Sequence, residues 1–112
     1  MNELQIFKNP EFGTVRTLEE GGVVLFCGKD IAGALGYKIP KDAISLHCKG
    51  AVKRRIPTAG GEQEMSFIPE SGLYSLILSS KLSTAKKFKH WVTSEVLPTI
   101  RKHGAYMTTE TL

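Results

Sequence analysis

Hydrophobic and polar positions along the first part of the chain follow the short period of strands. "LQIF" (4–7) and "GTVRTL" (13–18) carry β-branched and alternating residues, and "EEGG" (19–22) supplies a turn. "VVLFC" (23–27) is continuously apolar, which predicts a strand buried on both faces near the middle of a sheet. The period then changes to that of a helix. "KDIAGALGY" (29–37) sets Ile31, Ala34 and Leu35 on one side, and Gly36 is a natural stop. "IPKDAISLHCKG" (39–50) predicts a second short helix, with Pro40 in its first turn, Ala43, Ile44 and His47 turned inward, and Gly50 ending it. Two helices joined by a turn give only a weak helix-turn-helix signal, because such pairs are common in folds that never meet DNA.

Strand period returns in "AVKRRIPT" (51–58) and "EMSFIP" (64–69), joined through the Gly-Gly pair of "AGGEQ" (59–63). In this hairpin Val52, Ile56, Met65 and Phe67 share a face, and the run Lys53, Arg54, Arg55 sends basic side chains to both faces. "PESGLYSLILSS" (69–80) is helical again, with Leu73, Leu76 and Ile77 inward. Ser83 is placed to cap a final helix running from Thr84 to about Lys102. Together these elements predict an α+β domain: a small, mostly antiparallel sheet with a β-hairpin, packed against several helices including a long C-terminal one.

The final helix separates its two faces clearly. At about 100° per residue, Ala85, Phe88, Trp91, Val92, Val96 and Ile100 form one apolar stripe, and Lys86, Lys87, His90 and Arg101 gather opposite. Lys89 lies at the edge of the stripe. Pro98 has no N–H, so the carbonyl of Ser94 loses its usual partner and the last turn is expected to kink. The stripe needs no explanation beyond core packing, and Arg101 and Lys102 also suit a helix C-terminus. The polar face is where a function would lie.

Charge sharpens that picture. The 112 residues carry a formal +4, but its distribution is uneven. From Lys38 to Arg55 six basic residues stand against Asp42 alone, a net +5; from Lys81 to His103 six stand against Glu95 alone, again +5, leaving −6 elsewhere. Two basic blocks on an acidic remainder point to an anionic partner such as nucleic acid, although charge runs are also simply solvated faces. The residues expected to contact phosphate are Lys53, Arg54 and Arg55 on the hairpin with Lys86, Lys87, His90, Arg101 and Lys102 on the helix, forming one surface. Lys38, Lys41 and Lys49 are additional candidates. A two-stranded ribbon fits the major groove. Replacing Arg54 and Arg55 by alanine is expected to weaken binding with little loss of folding.

Enzymatic chemistry finds no support in the chain. His47 and Cys48 are adjacent, so their side chains diverge on a helix, and Cys27 sits in an apolar strand. Three histidines and two cysteines lack zinc-ligand spacing, so neither a metal nor another cofactor is expected, and His47, His90, Cys27 and Cys48 are given no metal or thiol role. "GKDIAG" lacks a phosphate-loop pattern, and no acidic pair falls on a recognisable catalytic scaffold. Two cysteines make no disulfide framework and fit a reducing cytoplasm. No apolar run approaches membrane-span length, and "MNELQIFKNPEF" is unlike a secretory signal.

Specific combinations of residues add a resemblance. Val15-Arg16, Asp30-Ile31-Ala32 with Leu35-Gly36-Tyr37, Ala43 with His47, Glu70 with Leu73-Tyr74 and Leu76-Ile77, Ser80-Lys81, and above all "FKHWVTSEVLPTIRKHGAY" resemble the BRO N-terminal domain of phage antirepressors and baculovirus repeated-gene proteins, over about residues 7–106. The resemblance implies the DNA-binding domain (1–105) of a phage or prophage transcription regulator, acting in the cytoplasm of a bacterial host. Residues 106–112 would be a tail or the start of a linker to a C-terminal domain. It implies DNA, double- or single-stranded, as partner. The alternative is a protein-interaction module that binds and inactivates a phage repressor, and a second copy of the chain is a further partner to consider.

Overall fold

The computed structural model describes residues 3–101, as five strands and a helical layer. The strands are β1 (Glu3–Asn9), β2 (Gly13–Glu20), β3 (Val23–Cys27), β4 (Val52–Thr58) and β5 (Gly61–Pro69). They form one antiparallel sheet in the order β1-β2-β3-β5-β4. The continuously apolar β3 lies at its centre, as its sequence predicts. The β2–β3 connection is the Gly21-Gly22 pair, with φ of +57° and +85°, the backbone that a tight hairpin between right-twisted strands requires.

Helices α1 (Gly28–Ala34), α2 (Pro40–His47), α3 (Glu70–Ser79) and α4 (Ala85–Trp91) complete the fold. Helix α1 ends as its sequence predicts. Gly36 has φ +81° and donates to Gly33, while the Tyr37 N–H reaches back to Ala32, so two carbonyls of the last turn are satisfied. Pro40 takes the first position of α2, where its missing N–H costs nothing. Helix α4 starts behind Thr84 rather than Ser83, and no side chain caps it. The Thr84 backbone (φ −85°, ψ 3°) is that of a turn, not the extended form from which a capping hydroxyl reaches the helix N–H groups.

Two clusters share the sheet. The larger joins Val15, Phe26 and Ile68 to the inner faces of all four helices; the smaller, on the opposite face, holds Leu18, Leu25, Cys27, Ile56 and Phe67, flanked by Leu4, Val52 and Met65. Ile56 is only 1% exposed although it lies near the hairpin tip, so the hairpin curls over the second face and closes that cluster. Val52, Ile56, Met65 and Phe67 share a face as the alternation predicts.

The expected disturbance at Pro98 takes the form of a π turn. Helix α4 continues through a π segment, Val92–Val96, in which the Leu97 N–H bonds to Val92 five residues back, and then into a last helical stretch, 97–101. A π turn spends one extra residue, so everything after it lags by about 100°. Leu97, which a uniform helical wheel places off the apolar stripe, is thereby only 1% exposed. Thr93, Ser94 and Thr99 hydroxyls donate to the Lys89, His90 and Glu95 carbonyls around the irregular turn. Among the described residues no helix is long and apolar enough to cross a membrane.

Candidate nucleic-acid interface

The fold sorts the basic residues by type. Each of the four arginines is ion-paired. Arg16 on β2 places Nε and Nη2 each 2.8 Å from the carboxylate of Asp30, in the first turn of α1, and its backbone N–H donates to the same group at 3.0 Å. These side chains are 19% and 11% exposed, and the hydrogen bond to Asp30, outweighing burial, holds the Arg16 guanidinium protonated well beyond its ordinary range. Arg54 grips Glu20 of β2 with Nε and Nη2 at 2.7 and 3.0 Å, while its Nη1 donates to the Lys53 carbonyl. The same hydrogen bonds hold the Glu20 carboxyl below its ordinary value. Arg55 pairs with Glu62 across the hairpin at 3.1 Å, and Arg101 reaches Glu70 of α3 at 3.1 Å. None of the lysines makes an ion pair among the described residues.

Block sums could not reveal this sorting, because the acids that hold Arg54 and Arg101 lie in distant elements. The fork of Arg54 is occupied in tying the hairpin to β2, so the expectation that Arg54 can be removed with little loss of folding needs correction. Arg54→Ala should accelerate amide exchange throughout 52–69 and lower the melting temperature, whereas Arg55→Ala, breaking a pair open to solvent, should do neither. Equal behaviour of the two variants would contradict the anchoring role.

Arg101 also leaves the company a uniform helix predicts for it. The lag introduced by the π turn swings it away from Lys86, Lys87 and His90 and toward Glu70, which also accepts from the Tyr74 hydroxyl at 3.1 Å. Lys102 lies outside the described residues.

The candidate lysines Lys86, Lys87, Lys41, Lys53 and Lys38 open on three separate clefts, and Lys89 borders a fourth with Tyr74, Ile77 and Leu78. Lys86, Lys87 and His90 of α4 border a shallow one with Asn9, Glu11, Phe12, Trp91, Ser94 and Glu95. The β1–β2 turn supplies its aromatic wall. Asn9 accepts from the N–H groups of Glu11 and Phe12, and this turn sets Phe12 edge-on to Phe88 at 5.2 Å and roughly parallel to Trp91 at 6.3 Å. Lys41 and Lys53 border a second cleft with Lys29, between α2 and the β4–β5 hairpin. Lys38 borders a third with Lys81, Tyr37 and His47. Lys49 is exposed in the turn before β4 and lines none of the three. The α4 cations and the hairpin cations thus line different clefts and share no lining residue.

Sequence reading missed Lys29, whose neighbours look like a helix start, and Phe12, which stands between a proline and a glycine in a polar turn. Burial pushes both thiols, Cys27 and Cys48, up from their ordinary value, away from nucleophilic use. Among the described residues no three His, Cys, Asp or Glu side chains are grouped to hold a metal ion.

With this geometry in place, comparison with known proteins gives a consistent answer. The N-terminal domain of the BRO family is matched over residues 14–98. The chain belongs to the BRO family. An uncharacterized protein of Haemophilus influenzae is 46% identical over 91 residues, covering 80% of this chain and 45% of that protein. Protein 289L of Invertebrate iridescent virus 6, named for a Bro-N domain, is 39% identical over 101 residues, covering 72% of this chain and 24% of the viral one. A Bro-N domain-containing protein of Autographa californica nuclear polyhedrosis virus, ORF2, is 27% identical over 118 residues, with 89% and 36% covered. The chain therefore spans less than half the length of these relatives. No solved structure matches it.

Many of the residues that carry the Bro-N resemblance have structural work in this fold. Arg16 and Asp30 lock α1 to β2, the Tyr37 hydroxyl donates to Leu76 at 2.8 Å, the Ser80 hydroxyl donates to Leu35 at 2.8 Å, and Glu70 joins Tyr74 and Arg101.

Proposed function

We propose that this Bro-N domain holds the phosphate backbone of DNA on the exposed face of α4, as the nucleic-acid-binding part of a phage or prophage regulator of the antirepressor type. The observation that carries the reading is the sorting of cations: the arginines are spent on acids within the fold, and the lysines remain turned to solvent. Lys86 and Lys87 bring positive charge to one helix face, with the His90 imidazole beside them and a wall made by Phe12 and Trp91. Lysine is a mobile point charge and not the planar fork that reads a guanine edge. Contacts of this kind position a backbone without reading its sequence, so the domain alone should bind with little sequence preference.

Lys86→Glu combined with Lys87→Glu tests this reading. Both side chains are exposed and unpaired among the described residues, so the variant should melt like the parent. Its affinity for random-sequence DNA should fall steeply. Unchanged affinity would remove α4 from the site. A second reading, capture of a repressor protein, is favoured by the cleft between α2 and the hairpin, whose walls suit a protein better than a phosphate backbone.

A further inference from the structure

The cleft between α2 and the β4–β5 hairpin has a volume of about 550 Å³, within the range of sites that take a specific ligand. Its walls are aliphatic and sulfur-bearing: Ile44 from α2 and Cys48 just after it, Val52 from β4, Met65 from β5, with Pro40 and Ala51 beside them. No Phe, Tyr or Trp lines it. Lys29, Lys41 and Lys53 stand around it, one from each of α1, α2 and β4, and Glu64 is the single acid among the lining residues. All three lysines are exposed and make no ion pair among the described residues.

The backbone beside this cleft is also open. β3 pairs with β5 only from Phe67 to Pro69, and then the chain turns into α1. From Gly61 to Ser66, β5 has β4 as its only strand partner among the described residues. The turn-off is tight: a Cβ at Gly28 would collide with Ile44 Cδ1 and meet the Ser66 carbonyl at 3.4 Å, so α1, α2 and β5 converge there and end the ladder. A half-paired strand is a template for another chain.

We infer that this cleft docks an extended acidic segment of a partner protein, which adds a strand beside β5 and places aliphatic side chains against Val52 and Met65 on one face of the sheet. Strand addition supplies main-chain hydrogen bonds, and alternate side chains of the guest enter the cleft. The remaining side chains of the guest, facing Lys29, Lys41 and Lys53, are carboxylates. A nucleic acid fits less well: its backbone has no use for an aliphatic wall, and its bases stack on aromatic side chains, which this cleft lacks. The inference deepens the protein-capture reading and is independent of the α4 face.

The test uses the 112-residue chain and a labelled short peptide alternating Glu and Val, with peptides alternating Glu and Ser, or Lys and Val, for comparison. Fluorescence anisotropy should show saturable binding of the Glu/Val peptide alone, and amide exchange should slow between residues 61 and 66. Lys41→Glu with Lys53→Glu should weaken that binding at least about tenfold through like-charge repulsion. Lys41→Gln with Lys53→Gln, which keeps both side chains long and polar, should weaken it less. Lys86→Glu with Lys87→Glu should leave peptide binding unchanged, which separates failure here from failure of the DNA reading. Equal binding of the Glu/Ser peptide, protection of 61–66 by an oligonucleotide and not by the peptide, or indifference to both Lys41 and Lys53 pairs of substitutions would overturn the inference.

Discussion

Trp91→Ala should cost about 3–5 kcal/mol of stability, the range for deleting a large buried aromatic. Trp91 is 8% exposed, and its ring packs against both Phe88, at 5.9 Å, and Phe12, at 6.3 Å. Removing it leaves a void where α4 meets the β1–β2 turn, and Phe12 loses the surface it lies on. In a domain of this size such a loss lowers the melting temperature by more than about 10 °C. The same packing makes a second outcome measurable in the parent. Trp91 is the only tryptophan, so its fluorescence should be blue-shifted and poorly quenched by soluble quenchers. Red-shifted, freely quenched emission would show that Trp91 does not fill this position.

Asp30→Ala should be nearly as damaging, by a different route. The substitution leaves the Arg16 guanidinium and the Arg16 N–H, both largely shielded from water, without their common acceptor. Breaking a fully buried ion pair costs roughly 3–5 kcal/mol; the partial exposure of this one brings the expectation to about 2–4 kcal/mol. Asp30→Asn retains an oxygen acceptor and should recover part of the loss. Denaturant titrations of the three proteins decide the matter, and equal midpoints for parent and Asp30→Ala would contradict the role given to this pair.

These two sites show what local pattern makes legible and what it does not. The strands, the central place of β3, the face shared by Val52, Ile56, Met65 and Phe67, and the buried stripe from Ala85 to Val96 follow from period alone. Each depends only on which neighbours a residue has within one turn or one pleat. Gly36 was legible for the same reason. The π turn was not. Pro98 announces a disturbance, but whether the helix kinks or inserts a residue depends on how α4 packs on α3 and the sheet. That choice moves Leu97 into the core and Arg101 away from Lys86, Lys87 and His90. The ion pairs were hidden as well. Arg54 meets Glu20 across 34 positions and Arg101 meets Glu70 across 31, so a charge count taken along the chain treats as available two arginines that the fold has engaged. The block near residues 38–55 therefore overstates the cations open to a partner, and the block on α4 loses Arg101.

The sorting of arginines and lysines also bears on what a regulator of this kind would require. A lysine-lined face gives charge-driven, salt-sensitive association with low sequence preference. The aliphatic cleft between α2 and the hairpin would then give partner selectivity to a surface that does not read bases. The two sites share no lining residue, so each can be removed without the other.

The dependence of DNA affinity on salt tests the central claim most directly. If Lys86 and Lys87, with His90 beside them, neutralise about two to three phosphates, log K for duplex DNA should fall against log salt with a slope of roughly −2 to −3. Lys86→Glu with Lys87→Glu should reduce the magnitude of that slope by about 2, one charge contact for each lysine removed. A parent slope near zero, or the same slope in parent and variant, would contradict the assignment of nucleic-acid binding to this face.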